Sequence, residues 1–315
     1  MKSKKEVQKV SDSLSVKASP HVRKSARLET LMFDMEIALL PVVLFAAYRF
    51  GFGAVKVIMA SVLACVVTEW IYDACLKRET GITDGSAVVT GLLLGLTLPS
   101  DINLYVPVIG GIFATLIVVL LYGGYGQHFM LPALASRCFL LISFAEEMTT
   151  YTVDGISSAT PLAVLQAGGA PNLTDMFLGN INGSIVEVST VAVLLGFFYL
   201  IVRKAVKLVP PVIYVLSFVM YMGLFGGHGF DMSYIGAQIL GGGFIFSVAF
   251  FAGDMIINPK TVAGQVIYGV LMGVLTGVYR TMGFAPESVS YAIICCNLLI
   301  PLIDKFLPGK AKEAA

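Results

Sequence analysis

The series Leu98-Pro99-Ser100-Asp101, Gly110-Gly111, Leu121-Tyr122-Gly123-Gly124, Leu131-Pro132 and Cys138-Phe139-Leu140 has a counterpart later in the chain. It returns as Asn258-Pro259-Lys260, Gly269, Gly273, Gly277-Val278-Tyr279-Arg280, Ala285-Pro286 and Cys295-Cys296-Asn297. Both read as a Pro-marked loop, a Gly-rich apolar span, a Gly/Pro turn and a closing span. Each unit holds an odd number of spans, so two such copies would lie inverted in a membrane. The same features are also the shared grammar of any two membrane hairpins, and the series alone leaves both readings open.

Composition decides the solvent. Of 315 residues, 57% are hydrophobic and 13% are charged, with a mean hydropathy of +0.85. A soluble domain carries roughly 25% charged residues. The chain is therefore expected to be an all-α polytopic membrane protein. Its net charge of +1 says nothing about partners. The 32 glycines suit helices that pack closely in lipid.

Apolar spans are expected near 31–50, 54–76, 85–98, 104–122 and 129–146, then near 186–202, 212–227, 235–252, 261–279 and 288–304. A straight helix needs about 20 residues to cross a bilayer. The spans at 85–98 and 235–252 are short or Gly-broken, which points to a midplane site. The chain divides into a basic arm (1–30), a first half (31–146), a connecting loop (147–185), a second half (186–304) and a tail (305–315).

Lys and Arg set the orientation. The arm 1–30 carries eight of them. No signal-peptide core and cleavage site follow, so the first span is expected to act as a retained anchor. The arm reads as topogenic, with no nucleic-acid partner. Lys77-Arg78, Arg203-Lys204-Ala205-Val206-Lys207 and Lys305 onward share its side. No Lys or Arg falls between Arg137 and Arg203, where Glu146, Glu147, Asp154 and Asp175 lie. Both termini are thus expected in the cytoplasm and the 147–185 loop outside.

That loop contains Asp154-Gly155-Ile156-Ser157-Ser158-Ala159-Thr160-Pro161-Leu162. One reading is a helix start, with Ser157 or Ser158 as cap and Pro161 in the first turn. The other is a hydroxyl presented for modification. The five cysteines form no CxxC and read as small buried hydrophobes, and the three histidines are far apart, so no metal site is expected. Ionisable residues in or beside the spans are functional candidates: Asp34, Glu36, Glu69, Asp73, Arg137, Asp254, Arg280 and Asp304. Asp254 precedes Ile257-Asn258-Pro259, where an apolar run breaks. Arg137 and Arg280 stand at similar places in the two series. Each is either a helix-end anchor or a planar donor for phosphate or a flavin's polar edge.

Taken together, several blocks resemble one family. Ser157-Ser158-Ala159-Thr160, after Asp154, is similar to the flavinylation signature of the membrane components of redox pumps. Ser19-Pro20-His21 resembles their N-terminal arm. Gly123-Gly124-Tyr125-Gly126, Leu131-Pro132-Ala133 and Arg137 resemble a second block. Asp254, Asn258-Pro259-Lys260-Thr261, Gly264, Gly269, Gly273, Arg280, Gly283, Pro286-Glu287, Asn297 and Pro301-Leu302-Ile303-Asp304 resemble a third. The family is NqrB/RnfD. It supplies the D component of the Rnf electron-transport complex, an ion-translocating ferredoxin:NAD oxidoreductase, and a related component of the sodium-pumping NADH:quinone oxidoreductase. Ser158 stands where the signature usually has Gly, and Leu131 where the second block usually has Asn.

The resemblance implies ten transmembrane helices in two inverted five-helix repeats, related to urea-transporter-like channels. It implies FMN joined through its phosphate to Thr160, and leaves a place for riboflavin or a second flavin. A flavin transferase would form the ester, so the site needs only an exposed hydroxyl in an extended turn. Ser157 gives room, Asp154 helps the transferase grip, and Arg137 and Arg280 are the arginines offered to a flavin. The chain would not act alone. Its partners would be the other Rnf subunits (A, B, C, E and G) in the cell membrane, and its work electron transfer coupled to Na+ or H+ translocation. The rival reading is an inverted-repeat solute or ion channel with no redox role.

Overall fold

The computed structural model describes residues 21–77, 84–153, 156–157, 160–179, 181, 183–283 and 288–307. In the first half, α1 (His21–Phe50) and α2 (Phe52–Leu76) form a hairpin about Gly51, whose φ of 60° suits a residue without a Cβ. Short α3 (Ser86–Leu96) follows, then α4 (Tyr105–Tyr122), which widens to π geometry over Phe113–Val119. α5 (Pro132–Ser143) starts with proline in its first turn, where a missing N–H costs nothing.

The second half repeats this grammar. α9 (Thr190–Arg203) and α10 (Val209–Phe225) precede a broken pair, α11 (Met232–Leu240) and α12 (Phe244–Phe251), bent by 64°. The break is Gly241-Gly242-Gly243. Gly242 and Gly243 sit at φ 64° and 63°, a left-handed conformation that a side chain resists. Two long helices close the half, α13 (Val262–Thr281) and α14 (Ser288–Phe306).

Each expected span thus has a helix or a broken pair of helices. Among the described residues, five helices, α1, α2, α4, α13 and α14, are long and apolar enough to cross a membrane, and the bent pair is a sixth candidate. α3, α5, α9 and α10 are apolar but shorter. Many outward side chains stay apolar, including Leu44, Trp70, Phe198 and Leu216. That is the surface lipid requires.

Glycine spacing explains the tightest packing. Gly269, Gly273 and Gly277 recur every fourth residue and put one bare stripe on α13. α10 lies in it: an added Cβ at Gly269 would meet Ile213, one at Gly273 would overlap Ser217, and one at Gly277 would overlap Tyr221. Ser217 Oγ donates to the Gly269 carbonyl across this seam at 3.2 Å. In the first half, Gly91 and Gly95 let α3 press on Val62 and Ile58 of α2.

The halves meet first helix to first helix and last to last: α1 packs on α9 and α5 on α14. Gly196 of α9 lies so close to the Ala38 carbonyl of α1 that a Cβ would overlap it. Arg203 Nε donates to Asp34 Oδ1 at 3.0 Å, and Tyr199 donates to the same oxygen at 3.1 Å.

Three expectations need correction. Helix α1 begins at His21, ahead of the expected boundary of the arm at residue 30, because the sequence before the apolar run still continues the helix. The 147–185 connection is not a plain loop. It holds the end of α6 (Ala145–Thr149), a ribbon of β1 (Thr152–Val153) and β2 (Ile156–Ser157), then α7 (Pro161–Gln166), α8 (Leu173–Leu178) and a 3-10 turn from Ile185. Among the cysteines only Cys65 and Cys296 are buried; Cys138 and Cys295 are half-buried and Cys75 is exposed.

Candidate functional site

The hydroxyl-rich segment is built as a ribbon followed by a capped helix. Thr152 pairs with Ser157 and Val153 with Ile156, antiparallel. Asp154, Ser158 and Ala159 lie outside the described residues. Ser157 is described only as a strand residue.

Thr160 ends the extended run. At φ −65° and ψ 154° it is the N-cap of α7, and its Oγ1 accepts from the Ala163 N–H at 3.3 Å. Pro161 occupies the first helical position, where its fixed φ is already helical. The segment is therefore a helix start, with Thr160 as cap in place of Ser157 or Ser158. The expected exposed hydroxyl is corrected too: Thr160 is 7% exposed. Its capping bond uses an oxygen lone pair and leaves the O–H outside that bond.

A six-residue helix has little stability of its own. α7 gains its place from Leu162, which is 2% exposed and sits against the helix break. An ideal Cβ on Gly241 would lie 3.0 Å from Leu162 Cγ. The Gly241 carbonyl also accepts from Arg280 Nη2 at 3.0 Å.

Arg280, in the last turn of α13, spends its fork on that break. Nη1 donates to the Gln238 carbonyl and, at 2.9 Å, to Gln238 Oε1, while Nε donates to Ser288 Oγ at 3.3 Å. The guanidinium lies 5.1 Å from the Phe218 ring centre and 5.6 Å from that of Phe244. These contacts satisfy carbonyls that a broken helix leaves unpaired. The anchor reading of Arg280 is what its hydrogen bonds support. Five donors and four bonds leave one N–H outside this set among the described residues.

Arg280 also reaches a cleft of about 410 Å³. Its wall includes Leu165 and Gln166 of α7, the turn at Gly226-Gly227-His228, and Tyr234 and Gln238 of α11. His228 and Tyr234 stack with ring centres 4.2 Å apart. No carboxylate is among the described lining residues. Sequence reasoning missed Gln238, His228 and Tyr234. The only signal was the Gly-interrupted span, because a residue's place on a cleft wall depends on elements far apart in sequence.

Arg137 does not join this cleft. It lies in α5, buried, with Nε lacking a partner among the described residues. It follows its Gly/Pro turn, while Arg280 precedes the corresponding one, so the two arginines are not equivalent in the elements. Of the other charges, Asp34 ties α1 to α9. Asp254 Oδ2 accepts from the Ile257 N–H at 2.9 Å, and Asp304 Oδ1 accepts from the Lys260 N–H at 3.0 Å. Asn258 donates to the carbonyls of Ala252 and Asp254 and knots the chain after α12. On α2, Ser61, Cys65, Glu69 and Asp73 recur every fourth residue and are buried. Among the described residues, Ser61 Oγ and Glu69 Oε2 have no hydrogen-bond partner.

These features define a polytopic helical membrane protein with a hydroxyl-capped segment seated on a broken span. Residues 15–312 match the family described as NQR2, RnfD, RnfE, and the chain belongs to that family. It is 36% identical to the D component of the proton-translocating ferredoxin:NAD(+) oxidoreductase complex of Clostridium ljungdahlii, covering 93% of this chain and 94% of the relative. It is also 36% identical to the D component of the Na(+)-translocating ferredoxin:NAD(+) oxidoreductase complex of Acetobacterium woodii, over 93% of each. The D component of the ion-translocating oxidoreductase complex of Methanosarcina acetivorans is 31% identical over 94% of this chain and 96% of its own length. The first two relatives differ in the named ion at equal identity.

Proposed function

We propose that this chain is the membrane-embedded D component of a ferredoxin:NAD+ oxidoreductase complex of the Rnf type. In this reading it carries FMN esterified through phosphate to Thr160 and takes part in electron transfer coupled to Na+ or H+ translocation. The observation that carries the proposal is similarity over nearly the full length to two components so named. It works with the other Rnf subunits (A, B, C, E and G), and a flavin transferase makes the ester.

The ten apolar segments form two inverted five-helix repeats. The pairing of first helix with first, α1 on α9, and last with last, α5 on α14, supports this arrangement. Both termini face the cytoplasm and Thr160 the outside, a sidedness supported by the basic clusters at Lys77 and Arg203.

The residues present fit a flavin. Thr160 retains a hydroxyl at the start of α7, and α7 leads directly to a cleft of about 410 Å³ with no carboxylate among its described lining residues. FMN supplies one- and two-electron redox chemistry when bound. The chain's share is to fix the attachment point: Pro161 sets the helix start, Leu162 seats it, and Arg280 holds the break beneath. A non-covalent riboflavin or second flavin remains part of the reading.

The test is denaturing electrophoresis of the complex from cells that make the transferase. This chain should show a yellow fluorescent band that Thr160→Ala abolishes. A band that survives the substitution sinks the ester assignment. The rival, a solute or ion channel without redox work, draws on the 64° bend at Gly241-Gly242-Gly243. Solute uptake into liposomes by a flavin-free chain would favour it.

A further inference from the structure

Because α7 is so short, the Thr160 hydroxyl and the cleft wall at Leu165 are about five residues apart, or roughly 8 Å of helical rise. A second, smaller cavity of about 170 Å³ also touches Leu165 and is lined by Asp231. Another cavity, about 430 Å³, is lined by Asp101, Glu146 and Glu147 and would repel a ring that gains negative charge. The α7 cleft, about 410 Å³, has no carboxylate among its described lining residues, lies within the range of small-molecule sites, roughly 300–1,000 Å³, and combines an aromatic wall with a polar end. At that end Gln238 turns Oε1 to Arg280, which points its amide NH2 away from the arginine.

We infer that this cleft seats the isoalloxazine ring carried by Thr160, with Tyr234 against the ring face, His228 packed behind Tyr234, and Gln238 and Arg280 at the ring's polar edge. The assignment rests on the Thr160 ester. Tyr234 and His228 are positioning residues: Tyr234 holds the ring by stacking and shields one face from water, and His228 backs Tyr234. Gln238 and Arg280 direct N–H groups toward the ring oxygens, where reduction adds charge. Since the same guanidinium holds the Gln238 and Gly241 carbonyls, the ring edge and the broken span share one side chain.

The experiment uses the intact complex and compares native flavin emission with emission after denaturation. Tyrosine stacked on a flavin quenches it, so the unsubstituted complex should brighten severalfold on denaturation. Tyr234→Leu should raise native emission severalfold and lower its anisotropy, with the denatured band unchanged. His228→Ala, at an exposed position, should move both readings the same way by a smaller factor. Native emission and anisotropy unaltered in both variants, with the denatured band intact, would overturn the cleft assignment and leave the ester standing. Absence of the band from the unsubstituted chain would overturn the ester, and the cleft assignment with it.

Discussion

Arg280 and Gly241 are joined by an Nη2–carbonyl hydrogen bond of 3.0 Å at a helix break against which Leu162 also packs. A backbone carbonyl freed by the break is therefore fixed by a side chain from α13, and the segment bearing Thr160 rests on the same glycine. Four consequences can be measured.

Gly241→Ala should act at a distance of one contact. Its backbone, at φ −95° and ψ 163°, accepts alanine, but the new methyl meets Leu162 Cγ at 3.0 Å and the Ala237 carbonyl at 3.1 Å. Overpacking of this kind costs about 1–3 kcal/mol. Because Leu162 must move, α7 shifts and flavinylation of Thr160 should fall. A melting temperature in detergent and band intensity in the denaturing gel would both drop; an unchanged pair of values contradicts the seating role of Gly241.

Thr160 carries the observed cap and, in the proposed reading, the ester, and the two are separable. Thr160→Ala should lose the fluorescent band and about 1 kcal/mol of local stability. Thr160→Asn should keep the cap, since asparagine caps as well as threonine, yet lose the band. Proteolysis rates at the α7 segment in the two variants provide the check. Equal rates would mean that the cap is not what holds the helix start.

At Gly273 the constraint is steric. Any Cβ there overlaps Ser217 and presses on the Phe218 nitrogen and the Tyr214 carbonyl, which are backbone atoms and cannot swing away. Gly273→Ala should force α10 from α13 and cost at or above the top of the ~1–3 kcal/mol overpacking range. The amount of folded chain recovered from membranes should fall sharply. Ser217→Ala, which removes only one hydrogen bond, should be mild by comparison, about 1 kcal/mol.

His128 predicts acid sensitivity. It lies between α4 and α5, its Nδ1 accepts from the Gly126 N–H at 3.1 Å, and Nε2 is buried without a partner. Burial pushes its pKa down to about 4, against roughly 6.5 in the unfolded chain. Between these values the unfolded chain holds a proton that the native chain does not. Stability is therefore full above about pH 6.5 and declines as pH falls toward 4, by up to about 1.4 kcal/mol per pH unit. Melting curves from pH 7.5 to 5 should show this slope, and His128→Phe should flatten it. Matching slopes would remove His128 as the cause.

The span pattern was readable because lipid imposes a single rule on every residue of a crossing segment, so ten apolar runs predicted the helices to within a few residues at most boundaries. The break at Gly241-Gly242-Gly243 was visible too, since left-handed backbone favours glycine. What a side chain touches was not visible. Arg280 was legible as a buried cation with two possible uses, and only packing showed its fork turned onto Gln238 and Gly241. Arg137 looked like its counterpart until the helices put one arginine before a turn and the other after.

The amino-acid order alone determined the solvent, the spans and the motif blocks of the family, because each depends on local composition or spacing along the chain. Tertiary structure alone decided that Thr160 is a buried cap, that Leu162 rests on Gly241, and that Gln238, His228 and Tyr234 share a cleft with Arg280. Those facts depend on which helices meet, and contacts between segments dozens of residues apart leave no periodic trace in either segment.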